Sequence, residues 1–345
     1  MAASASPALP LFEQGRHLLS VAQFDRAGLE SLFAVADAVS PIAARQGVCT
    51  VLDGAMLCSL FFEPSTRTRL SFESAFQRLG GEVTTTTGFT FSSMAKGESI
   101  ADTARVVSGY SDVLVVRHPD IGSVAQFAAA STVPVINAGD GAGEHPSQAL
   151  LDCYTLEKEL ALRGKSVDGC HLAILGDLRY GRTVHSLIML LSLYEHVSFA
   201  LFAPPGLELP DEVARHAFER GHSVRICGSV EEALRGADVV YATRVQRERM
   251  DAALSGATTG NLLNRAHLER ADNLDIVIMH PLPRDSRPDS YDLSNDVDDL
   301  PGLAIFHQTD NGVSVRMAIF LTVLGVSIEA VTLTTKQRPW KATLR

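Results

Sequence analysis

Nine short apolar runs, rich in β-branched and aromatic residues, alternate along the chain with segments whose apolar residues recur at helical spacing. No other feature constrains the fold as much. Parallel strands need a crossover, and the crossover is ordinarily a helix, so this alternation implies parallel sheets covered by helices on both faces. The predicted strands are 56–62, 83–87, 113–117, 133–136, 171–175, 197–202, 223–227, 238–242 and 275–279. The predicted helices are 26–39, 66–79, 98–110, 122–130, 146–160, 182–194, 211–220, 229–236 and 312–328. The strands fall into two groups, which predicts two α/β domains. Helix 146–160, with Pro146 at its first position and Gly164 beyond its end, is the expected bridge.

A chain of 345 residues has room for two domains with proper cores. Its formal charge of −10 argues against a nucleic-acid or anionic-membrane partner, since either calls for a basic surface. The cysteines at 49, 58, 153, 170 and 227 are scattered and lack paired spacing, the pattern of reduced thiols. The N-terminal stretch MAASASPALP has neither early charge nor an apolar core, unlike a secretory signal. The longest uncharged run, near 121–139, carries Gln, Ser, Asn and Pro and falls short of the ~20 apolar residues of a membrane span. The reading is a soluble cytoplasmic protein.

In open parallel sheets ligands sit beyond the carboxyl ends of the strands. The residues following the strands here are Glu63, Ser65, Thr66 and Arg67, then Arg117 and His118, Asn137, Gly176 and Asp177, Arg244, and His280 and Pro281. Polar and basic groups thus gather along one edge of both sheets, which predicts an anion-binding cleft between the domains. The helix beginning after Ser65 has Arg67 and Arg69 in or near its first turn, where the unsatisfied N–H groups already make the end positive. An anion resolves the conflict: the Ser65 and Thr66 hydroxyls, the first-turn N–H groups and the Arg67 guanidinium can all donate to one phosphate. Arg69 lies about 200° around the helix from Arg67 and has Glu73 four residues on, a structural pair. The bland alternative is a capped helix with solvated arginines.

Further basic or polar residues follow the same logic. Lys96 sits in a glycine-containing loop suited to clamping a phosphate or carboxylate, or is a plain surface lysine. His145 and Gln148 open the bridging helix, where the helix end disfavours imidazole protonation and favours a neutral donor; packing is the alternative. Arg182 begins a helix, as Arg67 does, and Arg244, Gln246 and Arg249 follow a strand. In HPLPR, 280–284, the prolines forbid helix and leave the Pro281 and Leu282 carbonyls without ladder partners. No GxxxxGK[ST] occurs, and GDLRYGR at 176–182 lacks GxGxxG spacing, so a nucleotide is not indicated.

STRTR, HPSQ, GDLRYGRTVHS, TRVQRER and HPLPR, in that order, resemble the aspartate branch of the aspartate/ornithine carbamoyltransferase family, from about residue 16 to about 330. The resemblance implies an α/β fold of two doubly wound parallel-sheet domains joined by a bridging helix, with a C-terminal helix packing back on the first. Residues 1–147, with helix 310–331 returning to them, would bind carbamoyl phosphate, and 148–305 aspartate. It implies transfer of the carbamoyl group to the amine of L-aspartate, giving N-carbamoyl-L-aspartate and phosphate in de novo pyrimidine biosynthesis, without metal or organic cofactor.

By the same resemblance Ser65, Thr66, Arg67 and Thr68 hold the phosphate with help from Arg117. Thr68, Arg117 and His145 contact the carbamoyl oxygen, while Gln148 and the Pro281 and Leu282 carbonyls hold the carbamoyl nitrogen. Arg182, Arg244 and Gln246 bind the aspartate carboxylates. Ser92 and Lys96 reach into a neighbouring subunit's site, making the working unit a homotrimer, and Glu63 pairs with Arg182 and Arg249 on closure. Regulatory or dihydroorotase chains are candidate partners. Ornithine or an acylated ornithine is the alternative acceptor, and a catalytically dead binding partner the alternative class. Two carboxylates call for arginines, whereas ornithine's second amine calls for an acid. Ser147 and Leu282 stand where the ornithine enzymes typically carry cysteine. Segment 250–262 matches the family poorly, and the tail after Val331 is unassigned.

Overall fold

The computed structural model describes residues 12–88, 93–246, 263–285 and 292–340. Ser92, Arg249 and segment 250–262 lie outside the described residues. Contacts divide the chain into two units, Met1–Gly141 with Val313–Arg345, and Ala142–Gly312. Helix Pro146–Ala161, the expected bridge, starts just inside the second unit.

In the first unit, β2 (Met56–Phe61), β3 (Glu82–Thr87), β4 (Val113–His118) and β5 (Val135–Asp140) form a parallel sheet in the order β3-β2-β4-β5. The two inner strands are buried on both faces, which is why they read as continuous apolar runs rather than as alternating ones. Leu60, Leu114, Val116 and Phe127 pack one side of the sheet, with Phe62 stacked on Phe127 at 5.9 Å between centroids. Helix α1 (Arg26–Ala43) precedes the sheet, and α2 (Thr66–Arg78), α3 (Ile100–Ser108) and α4 (Ser123–Ala130) follow β2, β3 and β4. The first turn past α2 is closed by the Gly80 N–H on Gln77 and the Gly81 N–H on Phe76. Gly80 has φ 96, and a Cβ there would lie 2.7 Å from the Thr50 Cα, so only glycine lets the chain turn back at this point.

The helix Ile305–Val323 begins seven residues before the expected 312. Its polar stretch Gln308–Thr309–Asp310–Asn311 masks the helical pattern in the sequence. From Val313 it belongs to the first unit, where Phe320 meets Phe72 and Phe76 edge-on at 5.8 and 4.9 Å. The C-terminal helix therefore packs back on the first unit, as expected. Among the elements with no counterpart in the sequence prediction, β1 (Gly47–Cys49) pairs antiparallel with β11 (Thr335–Gln337) across nearly the whole chain, and Arg265–Arg270 is a short helix capped by the Asn264 side chain.

The second unit carries β6 (His171–Leu175), β7 (Ser198–Phe202), β8 (Ser223–Ile226), β9 (Val239–Ala242) and β10 (Val277–Met279), parallel in the order β10-β9-β6-β7-β8. Its core gathers Leu175, Leu234, Val240, Leu268, Ile278 and Leu293. Among the described residues no single helix is long and apolar enough to cross a membrane. All five cysteines are free and buried, and burial pushes the Cys58 thiol up to about 11.

Candidate active site

In each unit several of the sequence-predicted residues lie at the carboxyl ends of parallel strands, while His145 and Gln148 sit at a helix start and Lys96 ends a 3₁₀ turn. In the first, Phe61 is in register with Arg117, and the Phe62 N–H donates to the Arg117 carbonyl at 2.9 Å, so the ends of β2 and β4 lie side by side. Ser65 is the N-cap of α2 with extended backbone, but its hydroxyl makes no capping hydrogen bond. The bland alternative of a Ser-capped helix thus lacks its defining bond, and the first-turn N–H groups of α2 are not met by that hydroxyl. Arg67 is exposed and Thr68 buried on the same first turn. Arg69 pairs with Glu73 at 3.7 Å, and Glu73 also accepts from the Ser59 hydroxyl at 3.0 Å, so Arg69 has the structural role expected of it. Arg117 is held by Glu63 at 2.8 Å and donates from Nη1 to the Ala138 carbonyl at 3.2 Å. Lys96 ends a 3₁₀ turn, Ser93–Lys96, and is exposed, with no ion pair among the described residues.

In the second unit four segments carry the predicted residues: the start of α5 (Pro146–Ala161) and the loops after β6, β9 and β10. The three strands are neighbours, so their loops emerge together. Their organiser is Asp177, which the sequence places at a strand end without giving it a role. Fully buried, it accepts on Oδ1 from the N–H groups of Arg179 and Tyr180 at 3.2 and 2.8 Å. On Oδ2 it accepts from the Gln246 N–H at 3.0 Å. One carboxylate thereby ties the loop leading into Arg182 to the loop carrying Arg244 and Gln246. Arg182 is the first residue of α6 (Arg182–Leu191) and only 5% exposed. Gly176 makes the close approach possible: its φ is 122, and a Cβ would sit 2.1 Å from the Thr243 carbonyl oxygen.

His145 is the N-cap of α5 and buried, its Nδ1 3.5 Å from the Ser147 hydroxyl. Gln148, in the first turn, donates from Nε2 to Asp152 at 2.8 Å, which leaves its carbonyl Oε1 as the end that can accept from a ligand. After β10, His280 Nδ1 accepts the Leu282 N–H at 2.8 Å, so its proton is on Nε2, which donates to Asp292 at 3.1 Å. Leu282 sits at φ 55, a left-handed conformation unusual for leucine and costing about 1–3 kcal/mol, held by this bond. Tyr241 donates to the other Asp152 oxygen at 2.7 Å; burial, then the neighbouring carboxylate, holds its phenol far above the usual range. Asp152 has no place in the sequence analysis and Asp177 stands there only as a strand-end residue without a role, although an aspartate inside the apolar stretch ALLDCYT and another closing the strand AILGD are both out of place in a core.

Two family profiles match the chain. One described as the carbamoyl-P binding domain of aspartate/ornithine carbamoyltransferase covers residues 16–158, and one described as the Asp/Orn binding domain covers 168–323. The aspartate carbamoyltransferase catalytic subunit of Dichelobacter nodosus is 53% identical over 314 residues, 90% of each chain. That of Saccharophagus degradans is 53% identical over 315 residues, 91% of this chain and 94% of the relative. A crystal structure of aspartate transcarbamoylase from Trypanosoma cruzi in complex with N-(phosphonacetyl)-L-aspartic acid has TM-score 0.80 and 37% identity, covering 93% of this chain and all of that one. The same enzyme in complex with carbamoyl aspartate and phosphate gives the same TM-score and identity.

Proposed function

The chain belongs to the aspartate/ornithine carbamoyltransferase family, and from that premise we infer that it transfers the carbamoyl group of carbamoyl phosphate to the amine of L-aspartate, releasing N-carbamoyl-L-aspartate and phosphate. The observation that carries the choice of acceptor is the Asp177 clasp. It holds two arginine-bearing loops together, and a pair of guanidinium groups with an amide fits two carboxylates, where an ornithine ammonium would need an acid. The T. cruzi complexes with an aspartate-containing bisubstrate analogue and with carbamoyl aspartate support the same acceptor.

In this reading Ser65, Thr66, Arg67 and Thr68, with the N–H groups of the α2 first turn, bind the phosphate, and Arg117 assists. Thr68, Arg117 and His145 receive the carbamoyl oxygen. Gln148 Oε1 and the carbonyls of Pro281 and Leu282 accept from the carbamoyl NH₂. Arg182, Arg244 and Gln246 take the aspartate carboxylates. The amine attacks the carbonyl carbon, a C–N bond forms, and negative charge collects on the oxygen. Each donor aimed there contributes about 3–4 kcal/mol to the rate. The C–O bond to phosphate then breaks, and the departing phosphate takes the amine proton. No side chain is assigned as base. Both sets of residues act on one pair of anions that repel each other in water; their cations offset the repulsion and orient the reactants. The working form in this reading is a cytoplasmic homotrimer, with Lys96 and Ser92 serving a neighbour's site, and Glu63 and Arg249 engaged on closure.

The test is an assay of carbamoyl-amino-acid and phosphate formation with aspartate, ornithine and N-acetylornithine offered in turn. Aspartate is expected to be the sole efficient acceptor, with the phosphonate bisubstrate analogue competing. Equal turnover of ornithine would overturn the acceptor assignment.

A further inference from the structure

Asp152 has no part in the assignment above, yet it holds the groups that face the carbamoyl nitrogen. We propose that Asp152 is the positioning residue that fixes Gln148 and the Pro281–Leu282 carbonyls as acceptors for that nitrogen; this rests on the carbamoyl-transfer reading of the site.

Asp152 is fully buried one helical turn beyond Gln148. Its Oδ1 accepts from Gln148 Nε2 at 2.8 Å and from Gln308 Nε2 at 2.6 Å, and its Oδ2 from the Tyr241 hydroxyl at 2.7 Å. A carboxylate only accepts, so both amides must turn their nitrogen toward it and their oxygen away. For Gln148 the outcome is an acceptor, Oε1, presented to the ligand. For Gln308 the outcome is an Oε1 that accepts the His280 N–H at 3.0 Å, directly before Pro281. His280 then takes the Leu282 N–H on Nδ1 at 2.8 Å and donates from Nε2 to Asp292. An unbroken run of hydrogen bonds therefore passes from Gln148 through Asp152, Gln308 and His280 to Leu282, all within the second unit.

The same run fixes polarity as well as position. With an apolar residue at 152, both amides are released to rotate by 180°, and a rotated Gln148 would point N–H groups at the ligand's own N–H groups. A rotated Gln308 would likewise face the His280 N–H with a donor, loosening the turn that presents the two carbonyls. An asparagine at 152 behaves differently. It keeps an oxygen for the two amides and can turn its own N–H toward the Tyr241 oxygen, so the orientation of both glutamines survives.

The experiment compares two probes by titration calorimetry: phosphonoacetamide, which carries the amide NH₂, and inorganic phosphate, which does not. Gln148→Ala first establishes the site. It is expected to weaken phosphonoacetamide and spare phosphate; if it spares both, the assignment of Gln148 fails and takes the proposal with it. Asp152→Ala is then expected to weaken phosphonoacetamide about tenfold, the loss of one or two net hydrogen bonds, with phosphate unchanged within about twofold. Asp152→Asn is expected to stay within about threefold of wild type for both. In a Gln148→Ala background, Asp152→Ala should add less than its effect alone. Should Asp152→Ala fail to fold, Gln308→Met, which cuts only the link to the turn, takes its place with the same expected selectivity. Equal weakening of both probes, or full retention of phosphonoacetamide affinity when Gln148→Ala has lost it, overturns the role of Asp152 and leaves the wider reading intact. A loss in Asp152→Asn as large as in Asp152→Ala overturns it too.

Discussion

Replacing Gly176 by alanine tests whether the two loops of the proposed aspartate site depend on one close backbone contact. Gly176 follows β6 at φ 122, and the added Cβ would lie 2.1 Å from the Thr243 carbonyl oxygen. Ordinary contact begins near 3.4 Å, so something must yield by more than 1 Å. Neither partner is a flexible side-chain end. Thr243 is pinned by its own N–H on the Leu175 carbonyl at 2.9 Å, and Gln246, three residues on, by its N–H on Asp177. The backbone conformation costs about 1–3 kcal/mol for a residue with a Cβ, and the overlap a similar amount. A loss of roughly 2–6 kcal/mol follows. For a unit of this size that lowers the melting temperature on the order of 5–20 °C. Relief of the overlap separates the loop carrying Arg182 from the loop carrying Arg244 and Gln246, and a misplacement of about 1 Å can cost a factor of about 10² in rate. Thermal melting and steady-state kinetics at varied aspartate measure the two effects. An alanine variant that melts with wild type and keeps its aspartate dependence would refute the packing argument.

Arg67→Ala is expected to reduce carbamoyl transfer by ~10³ or more, as loss of a cation on a transferring phosphate does, while the exposed position keeps the melting temperature within a degree or two; near-normal turnover would remove Arg67 from the phosphate site. In a trimer with shared sites, mixing inactive Arg67→Ala with inactive Lys96→Ala subunits should restore activity, since roughly a quarter of the sites then hold both native residues. No recovery after verified exchange would count against sharing. Acid should destabilise the first unit. Burial, chiefly, lowers the pKa of His17 and of His118, and each accepts a backbone N–H on Nδ1, from Val135 at 3.0 Å and Asp120 at 3.1 Å. The unfolded imidazoles take up protons near pH 6.5 and the folded ones only lower, so stability is full above that pH and falls as pH drops through it. Melting curves from pH 8 to 5 check this, and a flat profile below 6.5 would contradict it.

Much of this architecture was legible in the sequence because its causes are local. Strands β2, β4, β6 and β9 are buried on both faces and so appear as apolar runs, and Pro146 and Gly80 mark the start of α5 and the turn closing α2 by backbone geometry alone. The oddly placed Arg67 and Arg182 drew attention for an equally local reason, a cation at a positive helix end. Where the cause was distant the sequence was silent. The pairing of Gly47–Cys49 with Thr335–Gln337 joins two three-residue segments with no pattern of their own. The first half of Ile305–Val323 was hidden because Gln308 is polar, and the need for that polar group arises from Asp152, more than 150 residues away. Residue types and spacing alone therefore pointed to the two parallel sheets and to the basic groups at the strand ends, and the short motifs carried the resemblance to the family. Which of those groups are locked, and by what, was decided only when the chain closed on itself. Buried carboxylates such as Asp152 and Asp177 acquire their partners from separate strands and helices, and hydrogen-bond geometry of that kind leaves no trace in a linear pattern.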